Sequence, residues 1–429
     1  MIKQIKNLFN KIMKNPDYRA LLENFSSLTA LKLINYVFEI ITFPYLVRVL
    51  GVEKFGLLSF AQSFVAYFTL LTNYGFYLTG IQQIAIKRED KEESGKILAS
   101  IIGAKIFLMI LSFFIFSLIV FSFRKYRQDY TLYYFCFAMV LVEAFTPYWF
   151  FRGIEKMRYI TILTAISKAF YTAGIFLFVR RSEQVYLVPL ISAISTLLVD
   201  IEAFRVIYLK FNYKFVIPKI KDIAYQLKDG FTIFMSQVAI NLYTTSNTFI
   251  LGILTNNTYV GYYAAAQKLL SFVLSITFLI QQTLYPYANR LVATQKENAK
   301  VFFQKLTKIA GISGLIISLL LFIFAPLLVK IILGSGYLPS ITTIRILSLL
   351  PFLVILSNVF GILIMLPMGY KAEFMKILWG ASIINITFAL ILVPNLKHNG
   401  TAMSATITEM YVTLTMWLFL RRKRIIKNL

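Results

Sequence analysis

Apolar runs of about 20 residues recur along this 429-residue chain, and a helix of that length crosses a hydrocarbon core about 30 Å thick. In lipid every backbone N–H and C=O must be bonded internally, so such runs leave helices as the spanning form. The hydropathy pattern predicts spans at Asn24–Val47, Phe55–Leu78, Ile97–Phe123, Thr131–Phe151, Tyr159–Val179 and Tyr186–Leu209 in the first half. The second half gives Gly230–Leu254, Tyr259–Tyr287, Ile309–Leu333, Ile344–Leu366, Phe374–Val393 and Thr401–Leu420. Gly51, Gly153, Gly334, Gly336, Pro339, Gly369, Pro394 and Gly400 punctuate them, as turn formers do. The expected fold is therefore all-α and integral to the membrane, with about twelve transmembrane helices. With 58% hydrophobic and 15% charged residues, the chain lacks the polar groups to cover a soluble protein of this size. The segment before Asn24 is basic and polar, unlike the apolar core of a cleaved signal.

The excess of base, 44 Lys and Arg against 19 acids, sits in the short loops. With the N-terminus inside, cytoplasmic segments carry about 29 of the bases and outer loops about 8, which by the positive-inside rule sets both termini in the cytoplasm. Arg124, Lys125 and Arg127 dissent from a predicted outer loop. This distribution points to topology and to anionic lipid headgroups as partners rather than to nucleic acid. One cysteine, Cys136, and one histidine, His398, are too few for a Cys/His metal site, so no metal is expected.

No connection exceeds about 25 residues, so no soluble domain is expected. The predicted organisation is a cytoplasmic arm at 1–23, an N-lobe at 24–209 with spans one to six, a linker at 210–229, a C-lobe at 230–420 with spans seven to twelve, and a basic cytoplasmic tail at 421–429. The halves echo each other: Gly56-Leu-Leu-Ser-Phe-Ala-Gln62 opens the second span and Gly261-Tyr-Tyr-Ala-Ala-Ala-Gln267 the eighth. An even number of spans per half makes such a repeat parallel.

Pro44-Tyr-Leu-Val-Arg-Val-Leu-Gly51 followed by Phe55-Gly-Leu-Leu-Ser-Phe-Ala-Gln62 resembles the first hairpin of bacterial polysaccharide flippases. These are the O-antigen and teichuronic-acid type exporters, the polysaccharide transporter branch of the MOP exporter superfamily. Leu71–Gly75, Tyr148–Met157, Tyr243–Gly252, Thr255–Tyr263 and Tyr285-Pro286 match the same pattern, and the resemblance runs from Asn24 to about Lys376. It implies a MOP/MATE-like fold of two six-helix lobes around a central cavity, working by alternating access. It further implies a polyprenyl-pyrophosphate-linked oligosaccharide substrate, moved from the cytoplasmic to the outer leaflet of the bacterial cytoplasmic (inner) membrane for surface polysaccharide such as lipopolysaccharide O-antigen. A polysaccharide polymerase and glycosyltransferases are then the expected protein partners.

A charge within a span costs about 2.5–3.5 kcal/mol on insertion scales, so each needs a reason. Lys32, Lys105 and Lys168 lie at one depth on the first, third and fifth spans, about 12 Å from the cytoplasmic end. They read either as a cationic ring or as snorkelling side chains. Lys32, Asn35, Tyr36 and Glu39 share one helical face, which must meet protein or water rather than lipid. Lys268, Glu143 and Glu409 lie nearer mid-depth; Arg205 is near a span end with Asp200 and Glu202 as pairing candidates. The seventh span stacks Gln237, Asn241 and Thr245 at i, i+4, i+8; amides and hydroxyls glue helices together in bilayers and also suit sugar hydroxyls. The candidate substrate-binding set is thus Lys32, Asn35, Glu39, Lys105, Lys168, Gln237, Asn241 and Lys268, with Glu39 or Glu409 as the coupling carboxylate. No nucleotide loop or catalytic set is present, so no catalytic residue and no cofactor is expected, and H+ or Na+ are the coupling ions to consider. A small-molecule or drug ion antiporter of the same superfamily is the alternative, and a membrane polysaccharide polymerase or ligase the alternative of another class; the first favours an acidic cavity, the second a long outer loop.

Overall fold

The computed structural model describes the backbone of residues 16–214 and 216–426, and side chains from residue 30 with short gaps. Among the described residues all regular structure is helical. Helix α1 (Pro16–Asn73) is followed by α2 (Phe76–Lys87), α3 (Lys91–Ser122), α4 (Tyr130–Phe145), α5 (Tyr148–Gly153), α6 (Met157–Phe178) and α7 (Leu187–Arg205). After these come α8 (Ile220–Thr244), α9 (Ser246–Leu254), α10 (Asn257–Thr294), α11 (Lys296–Leu328), α12 (Ser340–Leu347), α13 (Leu350–Asn358) and α14 (Lys371–Arg422).

Among the described residues, eight helical stretches are long and apolar enough to cross a membrane, so the chain is a multi-pass membrane protein. Two of them, Leu33–Lys87 and Lys371–Arg422, run for 55 and 52 residues, about 80 Å of helix each, far more than one crossing needs. Both contain a kink where two helices meet. In α1 it falls at Gly51 (φ 68°, ψ 175°), a left-handed conformation that glycine adopts without a Cβ penalty. In α14 it falls on Lys397 (φ 53°, ψ −129°), between the Pro394 and Gly400 expected to turn the chain.

Some predicted spans are interrupted. The second, drawn through to Leu78, breaks at Tyr74 and Gly75, both at positive φ. The fourth breaks at Thr146-Pro147 and the seventh at Thr245. Gly369 and Gly334 adopt positive φ as turn residues, whereas Gly153 ends α5 and leaves the left-handed position to Glu155. Caps follow the sequence where acceptors exist: the Asp90 carboxylate accepts from the Glu92 and Glu93 amides at 3.1 and 3.0 Å, satisfying two otherwise orphaned donors at the start of α3.

The chain packs as two compact units. The first comprises residues 1–45 and 65–235, the second 46–64 and 236–429. Segment 46–64 therefore packs with the second half, and α8, which begins inside the expected linker at 210–229, gives its first sixteen residues to the first unit. The core of the first unit is built from Phe76, Ile101, Trp149, Phe150 and Phe151 among others. That of the second is built from Phe303, Phe360, Ile364, Met365 and Met416.

In the second unit, segment 46–64 lies directly on α10. A Cβ on Gly56 would sit within the carbonyl of Asn257 and 2.7 Å from the amide nitrogen of Gly261, and a Cβ on Gly261 would run into the carbonyl of Val52. The glycines that open the two echoed heptapeptides thus face each other across one contact. Small residues allow such backbone approach, which stabilises helix pairs in lipid by van der Waals packing.

Candidate functional site: polar groups within the spans

Each unit carries its own polar sets. In the first, Asn35, Tyr36 and Glu39 are all half-buried on α1. Glu39 is close enough to α6 for its charge to act on the Tyr171 phenol, and the Lys168 ammonium stands over the Tyr171 ring, 5.9 Å from its centroid. Helical spacing of three residues places Lys168 and Tyr171 on one face of α6. The structure therefore brings Glu39 and Lys168 into one neighbourhood, joined by a tyrosine that the sequence did not single out. The side chain of Lys32 lies outside the described residues.

Lys105 lies in a buried cluster. It is 4% exposed, and its ammonium donates to the backbone carbonyl of Glu143 at 3.2 Å. Asn73 donates to the Glu143 carboxylate at 2.9 Å. Asp200, 2% exposed, accepts from the Thr146 hydroxyl at 2.6 Å through one oxygen, while the other has no hydrogen-bond partner. Lys105 feels the charges of both acids, and neither carboxylate lies within 4 Å of its ammonium. The break at Thr146-Pro147 makes this cluster: ending α4 there turns the Thr146 hydroxyl towards α7. Of the two acids expected near Arg205, Glu202 is the partner, at 3.6 Å, and Asp200 points inward. Its depth offered a signal. Asp200 lies nine residues from the end of its span and Lys105 eight from the start of its own, about 12–14 Å from the same membrane surface.

In the second unit, Gln237 and Asn241 are half-buried and locally bonded. The Asn241 amide donates to the Gln237 carbonyl at 2.9 Å, and the Thr245 hydroxyl donates to the Asn241 side-chain oxygen at 3.1 Å. The polar stack is thus one face ending where α8 gives way to α9. A polar side chain that bonds backbone groups competes with the helix ladder, and interrupted spans of this kind recur at the binding sites of transporters. Thr248 donates to Gln267 at 3.2 Å. Its neighbour Lys268, half-buried on α10, holds its ammonium 5.6 Å from the Phe272 ring centroid. Glu409 on α14 accepts a hydrogen bond from Ser357 on α13. Among the described residues no cluster of His, Cys, Asp and Glu could hold a metal ion.

Within each unit these groups present cations, amides and rings. The family model described as "Polysaccharide biosynthesis protein" matches residues 21–292. The chain is 30% identical over 392 residues to a protein of Escherichia coli K12 named "Putative O-antigen transporter", covering 91% of this chain and 94% of that one. A Shigella dysenteriae protein of the same name is 25% identical, with 89% and 95% covered. Among solved structures, the lipid II flippase MurJ in an inward closed conformation superposes with TM-score 0.72 at 17% identity, covering 92% of this chain and 87% of MurJ. An inward-facing multidrug resistance MATE transporter of the MOP superfamily gives 0.69 at 14% identity, with 90% and 94% covered.

Proposed function

The chain belongs to the polysaccharide biosynthesis protein family and has the fold of the MOP-superfamily transporters, and from that premise we propose that it is a lipid-linked oligosaccharide flippase. It moves a polyprenyl-pyrophosphate-linked repeat unit from the cytoplasmic to the outer leaflet of the bacterial inner membrane, with both termini in the cytoplasm. What carries this reading is the likeness to the E. coli O-antigen transporter along nine-tenths of the chain. The polar groups within the spans fit it. A pyrophosphate brings about two negative charges into a low-dielectric space, where a fixed cation attracts far more strongly than in water. Lys32 and Lys168 in the first unit and Lys268 in the second supply cations, while Asn35, Gln237 and Asn241 supply amides that both donate and accept. Alternating access passes the load between the lobes, and Glu39 or Glu409 couples the cycle to H+ or Na+. Glycosyltransferases supply the substrate and a polymerase consumes the product.

The test is deletion in the native host. Loss of the chain should abolish surface polysaccharide and leave lipid-linked repeat units accumulated on the cytoplasmic leaflet, with restoration by the plasmid-borne gene. Intact polysaccharide together with altered drug sensitivity in the deletion strain would replace this reading with the multidrug one.

A further inference from the structure

Outside the spans, three turns of the first unit converge on one cavity of about 370 Å³. The α2–α3 turn brings Arg88, Glu89 and Lys91; the α5–α6 turn brings Ile154, Glu155 and Lys156; the segment that follows α7 brings Lys210, Phe211 and Tyr213. Four cations and two carboxylates line it. The carboxylates are already used: Arg88 pairs with Glu155 at 2.8 Å and with Glu89 at 3.3 Å. Lys91, Lys156 and Lys210 have no carboxylate within 4 Å among the described residues, and Lys210 instead lies 5.3 Å from the Tyr159 ring centroid. These cations are exposed, and a recess lined by one sign of charge attracts an ion of the other.

The backbone is shaped to make this gathering. Five described non-glycine residues adopt positive φ, and two of them are here: Glu155 (φ 57°), directly before Lys156, and Asn212 (φ 56°), directly before Tyr213. Such a position costs about 1 kcal/mol or more for a residue such as Glu155 and less for an asparagine. Both turns open into the same space. The Arg88–Glu155 pair ties the first turn to the second, and the buried Tyr213 ring closes the floor against Phe150 at 4.9 Å. Burial, with the Glu89 charge adding to it, pushes the Tyr213 phenol above its ordinary range, so its hydroxyl stays a neutral donor.

We infer that this cavity binds a phosphate-bearing headgroup, with the lysines on the phosphate and the Phe211, Tyr213 and Ile154 side chains against the adjoining apolar stem. The volume suits such a group, and basic recesses between spans at a membrane surface select anionic lipids. The site is separate from the polar groups within the spans and stands whether or not those carry a flippase substrate.

The experiment uses the purified full-length chain in phosphatidylcholine nanodiscs, with phosphatidylglycerol titrated in. Bound lipid is counted by native mass spectrometry and thermal stability is followed in parallel. Wild-type protein should bind phosphatidylglycerol saturably. The K91Q/K156Q/K210Q variant should weaken binding by about fivefold per lysine, matching about 1 kcal/mol per basic residue near an anionic surface. K91R/K156R/K210R should keep it, and equal melting temperatures in pure phosphatidylcholine separate lost binding from lost folding. Inorganic pyrophosphate distinguishes the sources: competition with phosphatidylglycerol assigns the site to the phosphate group itself, and binding without competition assigns it to the intact lipid. The inference is overturned if K300Q/K305Q/K308Q, with the same loss of charge elsewhere, weakens binding as much. It is equally overturned if the glutamine and arginine variants behave alike.

Discussion

A lysine and an aspartate, both almost without exposure and not in direct contact, set the first problem at the scale of single residues. Lys105 and Asp200 share a cluster with Glu143, Thr146 and Asn73, and removing one member of a buried charge set leaves the others uncompensated, at about 3–5 kcal/mol. Lys105→Met should therefore lower membrane abundance and the melting temperature, and Lys105→Met with Asp200→Asn should recover most of the loss. A double variant no better than the single one would mean that the two charges do not answer each other. Groups proposed to meet substrate should behave differently. Lys32→Ala and Lys268→Ala should each reduce surface polysaccharide at unchanged abundance, with Arg tolerated better than Ala and Glu worst. Wild-type export from both Ala variants would remove them from the binding set. Glu39→Gln or Glu409→Gln should alter the pH dependence of transport while keeping substrate binding; wild-type pH dependence in both would leave these carboxylates structural. Composition at helical spacing was enough to pick out these charges, because a charged group in an apolar run is conspicuous. Partners were less legible: the Asp200–Thr146 bond depends on where α4 ends, which a hydropathy average does not report.

Among elements, the contact between segment 46–64 and α10 is the tightest to interpret. Gly56 and Gly261 permit backbone against backbone, and an added methyl on either meets a carbonyl that cannot move without parting the helices. Gly56→Ala and Gly261→Ala should each destabilise the protein by about 1–3 kcal/mol, the range for overpacking, read as a lowered melting temperature and reduced abundance. Gly311→Ala is the control, since the nearest heavy atom to a Cβ there is 3.9 Å away in an unbroken helix, and it should be neutral or slightly stabilising. Equal losses in all three would detach the effect from this contact. The sequence offered these glycines only as an echo between halves; their meeting supplies the physical reason for having glycine at both places. Long apolar runs made the helices themselves easy to locate. Their interruptions at Tyr74-Gly75 and Thr245 were harder, because a break that leaves flanking hydropathy unchanged is a matter of two or three dihedral angles.

For the whole molecule, orientation is the expectation with the most at stake, since the direction of transport depends on it. A reporter fused after Arg180 or at Gly336 should read as external, and one at Asp222 or Lys427 as cytoplasmic; cytoplasmic activity at Gly336 would break the twelve-span arrangement. Chain order suggested two halves joined through 210–229, and the packing units are drawn differently because helix contacts, not connectivity, decide what packs. The leading half supplies 46–64 to the second unit, and the opening turns of α8 serve the first. A nick between 211 and 219 therefore liberates no complete unit. Each fragment made alone would lack a helix it needs and should be degraded, whereas the two made together can restore one another and accumulate. Inheritance meets the same restriction: a recombination event that copied only one side of that loop would yield a piece with a vacant helix position, so the halves of this transporter must travel as a pair.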